Sequence, residues 1–225
     1  MMDLEKQVAE LEAIGEIQNL MGAYSFYLDG RKYDEILELF SRREDTWVDL
    51  GGVYRGREGL ERLYPGKHYD EVVRGRYPGY RGRGNVAKHP QNTPLVVVAE
   101  DGMTARGLWT SLGFAAFFLG GPDSTMFVQG MFRYAADFIL EDGAWRIWHM
   151  VVCNGIGNVS GVPLPPPPGG GEPQAEEDHR FDPDEPSPQT FHYDDDARFP
   201  YWPRVPADFP GFDLRERHME WREEL

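Results

Sequence analysis

Cysteine is almost missing from these 225 residues: Cys153 stands alone, so no internal disulfide can staple the fold and a packed core must hold it. Long hydrophobic runs are missing too, since no stretch approaches the roughly 20 apolar residues that a membrane-spanning helix needs. The opening Met1-Met2-Asp3-Leu4-Glu5-Lys6 lacks the basic-then-apolar layout of a secretion signal, which predicts a cytoplasmic protein with no membrane partner. Positive charge is scarce, 23 Lys and Arg against 38 Asp and Glu for a net of −15. Such a chain repels phosphate backbones, so nucleic acid is not an expected partner. Histidines occur only at 68, 89, 149, 179, 192 and 218, without the close spacing of metal ligands. No strand-Gly-x-Gly-x-x-Gly-helix unit occurs and no Gly-rich loop ends in Lys-Ser/Thr. No metal and no cofactor is therefore expected.

What is present suffices for a core: 40% of the residues are hydrophobic and 13% aromatic. The acidity is uneven. Residues 161–225 hold 16 Asp and Glu against six Arg, and 13 of the 18 prolines lie at or beyond 163. This divides the chain into a folded domain, 1–160, and an extended, acidic, Pro-rich tail, 161–225, that cannot build a core of its own. The tail still carries Phe191, Tyr193, Phe199, Tyr201, Trp202, Phe209 and Phe212. The stretch 190–212 is expected to lie over the body or a partner, with a short helix from 214 to 224.

From Leu4 the apolar residues Val8, Leu11, Ile14, Ile17 and Met21 recur every three or four positions, which predicts a helix with one buried face. Tyr24, Tyr27 and Asp29 continue onto its last turn before Gly30, the expected left-handed terminator. Polar groups on a core-facing turn are a costly use of buried positions unless chemistry needs them. A second helix runs from Tyr33 through Ile36, Leu37 and Phe40, with Tyr33 in its core. Residues 46–55 read as a strand bent at Gly51-Gly52, with Asp49 either a solvated edge residue or a pocket group, and 56–64 as a short helix. Residues 66–88 mix Arg74, Arg76, Arg81 and Arg83 with glycines and tyrosines, a solvated loop or a lid over a pocket.

Long apolar runs then alternate with acidic-Gly turns at Glu100-Asp101-Gly102 and Glu141-Asp142-Gly143, which predicts an antiparallel meander over 93–99, 104–118, 125–140 and 144–154. In the last run Trp145, Ile147, His149, Val151 and Cys153 should face one way and Trp148, Met150 and Val152 the other. Both faces are apolar, so a second subunit (homodimer or homotrimer) or the tail is expected to cover the outer one. Cys153 reads as a small core residue. His89, His149 and the tyrosine–aspartate cluster remain for general acid–base chemistry: imidazole moves a proton, carboxylate orients it, and phenol polarises an oxygen.

Ala13-Ile14-Gly15-Glu16-Ile17 with Tyr24 and Leu28-Asp29, then 34–40, the Glu100-Asp101-Gly102 turn, and 134–137 followed by Glu141-Asp142-Gly143-Ala144-Trp145-Arg146-Ile147 resemble the SnoaL-like branch of the nuclear transport factor 2-like superfamily. The resemblance covers residues 5–154. It implies an α+β fold, a cone-shaped curved antiparallel sheet (α+β barrel) packed on three N-terminal helices with an apolar pocket in its mouth. It also implies a cofactor-independent lyase, a dehydratase or carbon–carbon lyase, with isomerase second, acting on a hydrophobic aromatic or polycyclic small molecule. In that pattern Asp29 and His89 fall at catalytic positions, with Tyr24 and Tyr27 as supporting donors. Trp47, Asp49, Trp109, Phe127, Arg133 and His149 are candidate substrate contacts. A non-catalytic binding or association module of the same fold is the alternative.

Overall fold

The computed structural model describes residues 4–65, 86–118, 125–161, 183–187 and 206–212, with the backbone alone for 117–118, 125–128 and 154–161. The Arg-Gly stretch 66–85, the Pro-rich stretch 162–182, the aromatic stretch 188–205 and the expected terminal helix lie outside the described residues. Helix α1 (Leu4–Asp29) packs Ala13, Ile17, Met21 and Tyr24 into the core. Its first turns depart from the one-face reading, because Leu4, Val8 and Leu11 are exposed. Apolar spacing marks a helix face but not how far along the helix its partner extends. The helix end also differs in detail: Arg31, not Gly30, takes the left-handed conformation (φ 55°). The Lys32 N–H then reaches back to the Tyr27 carbonyl at 2.8 Å, a Schellman-type closure. Helix α2 (Tyr33–Leu37) folds back, burying Tyr33, Ile36 and Leu37.

A hairpin of β1 (Trp47–Asp49) and β2 (Val53–Arg55) follows, turning at Gly51 (φ 70°), and leads into α3 (Gly56–Leu63). The remaining strands are β3 (Val86–Lys88), β4 (Asn92–Val98), β5 (Thr104–Phe118), β6 (Thr125–Glu141) and β7 (Ala144–Gly161). The meander forms as the turns require, with Asp142 and Gly143 both at positive φ (51° and 76°). The strand order is β2-β1-β7-β6-β5-β3, with β4 also on β5. One pairing corrects the all-antiparallel expectation: β1 runs parallel to β7, with Trp47 opposite His149 and Asp49 opposite Val151. The chain reaches β1 through the helices, so that strand enters from the same end as β7. The sheet curls over the three helices as a half-barrel, and the main core fills the concave face.

The convex face carries Trp47, Val53, Ala135, Val151 and Cys153, with Ala99, Ile139 and Trp148 nearby. Two stretches of the tail cover parts of it. Residues 183–187 bridge to β2 through Val53 and Glu185. A Cβ on Gly52 would sit 2.5 Å from the Pro183 ring, so only glycine admits that approach. Phe209 and Phe212 bury themselves beside Trp148 and hold the Arg106 guanidinium 4.4 and 4.6 Å from their ring centres. The chain's own tail thus supplies part of the expected cover, while Leu112 and Met131, opposite one another across β5 and β6, stay exposed.

Candidate active site

A carboxylate on the last residue of a helix faces the negative end of the helix dipole, so Asp29 needs compensating donors. It has two: the Lys88 ammonium at 2.9 Å and the His89 backbone N–H at 3.0 Å. Ser25, one turn earlier, donates to the His89 carbonyl at 2.7 Å. The end of α1 therefore pins the segment entering β4, and the His89 side chain is held over the concave face. A Cβ on Gly113 would lie 3.6 Å from His89 Cδ2, and the Phe132 ring centre is 6.4 Å away. His89 Nδ1 is buried without a hydrogen-bond partner, 3.9 Å from Asp29 Oδ1. That is beyond hydrogen-bond length, so Asp29 acts on the ring through its field and through the backbone it anchors. Burial lowers the His89 pKa below the ordinary imidazole value, opposed by the Asp29 charge. Burial thus favours the neutral imidazole, the form that accepts a proton, while the Asp29 charge favours the imidazolium.

The tyrosines divide differently from the sequence reading. Tyr24 is fully buried and its hydroxyl lies 2.9 Å from that of Tyr64. The two rings meet edge to face with Phe40 alongside, so Tyr24 belongs to a closed aromatic network rather than to free pocket surface. Tyr27 is half-buried against the same core. Tyr134, not among the residues singled out beforehand, sits on β6 with its ring centre 6.2 Å from that of Tyr24. It is 2% exposed within the main core. Burial raises the pKa of Tyr24, Tyr64 and Tyr134 above the usual phenol value, and Asp29's charge adds to the effect on Tyr134. All three stay protonated at neutral pH, so each carries a hydroxyl proton to donate, one of them committed within the Tyr24–Tyr64 pair.

Trp109 lies opposite Tyr134 on the concave face, folded over Gly107, where a Cβ would come within 2.3 Å of the indole. Four of the other candidate substrate contacts do not join it. Trp47, Asp49, Arg133 and His149 are on the convex face, because a bulge at Trp148 lets Asp137 oppose His149 while Phe138 opposes Ile147. The bulge reverses the alternation, so His149 no longer shares a face with Trp145 and Ile147. His149 Nδ1 instead lies 3.0 Å from Asp137 Oδ2, both side chains 2% exposed, with the Trp47 and Trp148 rings stacked on the imidazole. Asp49 accepts from the Ser187 hydroxyl at 3.1 Å. Burial pushes the Cys153 thiol well above its ordinary range, as an inert core residue requires. The Phe127 side chain lies outside the described residues. Among the described residues no three His, Cys, Asp or Glu side chains converge as a metal-ligand set, and no helix is long and apolar enough to cross a membrane.

A family model for the SnoaL-like domain matches residues 9–151. No curated protein matches the chain. Among solved structures it is similar to one named as an aromatic ring hydroxylase of Novosphingobium aromaticivorans, at 20% identity over 68% of this chain and 94% of that one, TM-score 0.51. It is also similar to hexachlorocyclohexane dehydrochlorinase LinA type 3 of Novosphingobium barchaimii, at 15% identity over 72% and 99%, TM-score 0.52. The type 2 enzyme of that name is 16% identical over 72% and 98%, TM-score 0.53. At these identities the likeness is one of fold.

Proposed function

Because the chain belongs to the SnoaL-like domain family, we propose that it is a small-molecule-converting enzyme whose proton transfers are carried by His89 on the concave face. The observation that carries the reading is the buried His89 Nδ1, without a partner and 3.9 Å from Asp29. His89 is the general base. Asp29 positions the segment and stabilises the imidazolium, and Tyr134 donates to an oxygen that gains charge as the proton leaves. The proton can stay on His89 while a leaving group departs, which is lyase chemistry, or return to another carbon of the same molecule, which is isomerase chemistry. Trp109, Phe132 and Tyr134 favour a hydrophobic ring as substrate. The hexachlorocyclohexane dehydrochlorinase that shares the fold is named for a cyclic compound, which supports the same class.

Cyclic ketones such as 2-tetralone, incubated with the protein in deuterium oxide, test the base without knowledge of the full reaction. Catalysed uptake of deuterium beside the carbonyl, read by mass spectrometry, is expected to rise with pH and to reach half its maximum below about pH 6.5, the ordinary imidazole value. The same depressed pKa has a stability consequence. His89 binds its proton more readily unfolded than folded, so its contribution is present above about pH 6.5 and is lost as pH falls from there toward the lowered folded value. Ligand binding with no exchange and no product across a panel of cyclic compounds would favour a binding module instead.

A further inference from the structure

The concave face holds more unsatisfied polar capacity than proton transfer by His89 uses. Ser111 is 2% exposed and its Oγ has no hydrogen-bond partner, and Gln91 Oε1 is likewise buried without one. Each carries a desolvation cost that nothing among the described residues offsets. The two groups share a place. Lys88 pairs with Phe114 and Asn92 with Thr110; the same count carried across 89–91, which belong to neither strand, sets His89 opposite Gly113, where a Gly113 Cβ would lie 3.6 Å from the ring, and Gln91 opposite Ser111. Opposed residues of antiparallel strands share a face. On its other side Ser111 pairs with Phe132, the residue tilted against His89. Gln91 is already half engaged, since its Nε2 donates to the His89 carbonyl at 3.3 Å. The atom left over is an acceptor, and the serine beside it can donate.

We propose that Ser111 and Gln91 form a hydroxyl-recognition point, and that the substrate is a cyclic compound with two oxygen functions, one at His89 and one held between these residues. This rests on the reading that the concave face takes a cyclic small molecule. A hydroxyl satisfies both groups at once: it donates to Gln91 Oε1 and accepts from Ser111 Oγ. An ether or halogen at the same place leaves Oε1 unpaired. The two points are two strand residues apart, roughly 7 Å, which spans a fused pair of rings.

The test is calorimetric titration of the full chain and of Ser111→Ala with 2-naphthol, 2,7-dihydroxynaphthalene and 7-methoxy-2-naphthol. The native chain is expected to bind the diol on the order of tenfold more tightly than the other two. Ser111→Ala should bring the three within about twofold. It should also raise Tm, because the change removes an unpaired buried hydroxyl. A lowered Tm, meaning that Ser111 is bonded within the fold, or a preference for the diol that survives Ser111→Ala, would overturn the assignment. Equal affinities in the native chain also overturn it but leave the acid–base reading intact. Failure of all three to bind removes both.

Discussion

Alanine at position 89 is expected to lower kcat by about 10²- to 10⁴-fold on any substrate the native chain converts, with folding intact. The ring sits at the edge of the core rather than within it, 24% exposed, and its Nδ1 bonds nothing that would be orphaned by its removal. Asp29→Asn is expected to cost less, about tenfold, because the amide oxygen can still accept the His89 backbone N–H while the charge beside the imidazolium is lost. The two losses should not multiply in the double variant, since both act on one proton transfer. Turnover of His89→Ala within threefold of the native chain would remove His89 as the proton carrier.

Asp137→Ala is expected to cost about 3–5 kcal/mol of stability, read as a lowered urea midpoint, while the folded fraction keeps its kcat. The change leaves the His149 imidazole without its carboxylate between two tryptophans, and takes away the charge 3.9 Å from the Arg106 Nε. It acts on the convex face, across the sheet from His89, so damage should appear in folding and not in chemistry. Loss of kcat with an unchanged midpoint would put the reacting atoms on the convex face and contradict the site described above.

Much of the architecture was legible because its signals are local. Acidic-Gly turns fixed where β4 meets β5 and where β6 meets β7, and the apolar period of α1 marked the helix whose last residue, Asp29, meets His89. Face assignments failed where a single residue resets a period. Trp148 and His149 are both large rings in an apolar run, and nothing in their types reveals that Trp148 is the bulged residue. Gln91 and Ser111 were hidden for a related reason. Counting back from the Asp101-Gly102 hairpin sets Asn92 opposite Ser111, but an irregularity between Asn92 and Leu95, with Thr93 at φ 52°, moves Gln91 there instead. Pro94 was the available clue, since proline within a strand marks an edge or a bulge. Tyr134 gave no signal of its own because a phenol within an aromatic strand reads as core. Its place against Tyr24 and within the field of the Asp29 carboxylate is revealed only by the packed structure.

The central claim is that ligand and chemistry belong to the concave face at His89 and not to the buried His149 on the other side. Imidazole resonances of the two histidines, followed in a long-range ¹H–¹⁵N spectrum while 2-naphthol is added, separate these directly. The expected result is that the His89 ring signals move with saturation and the His149 signals stay where they are. Movement of His149 with His89 unchanged would contradict the claim.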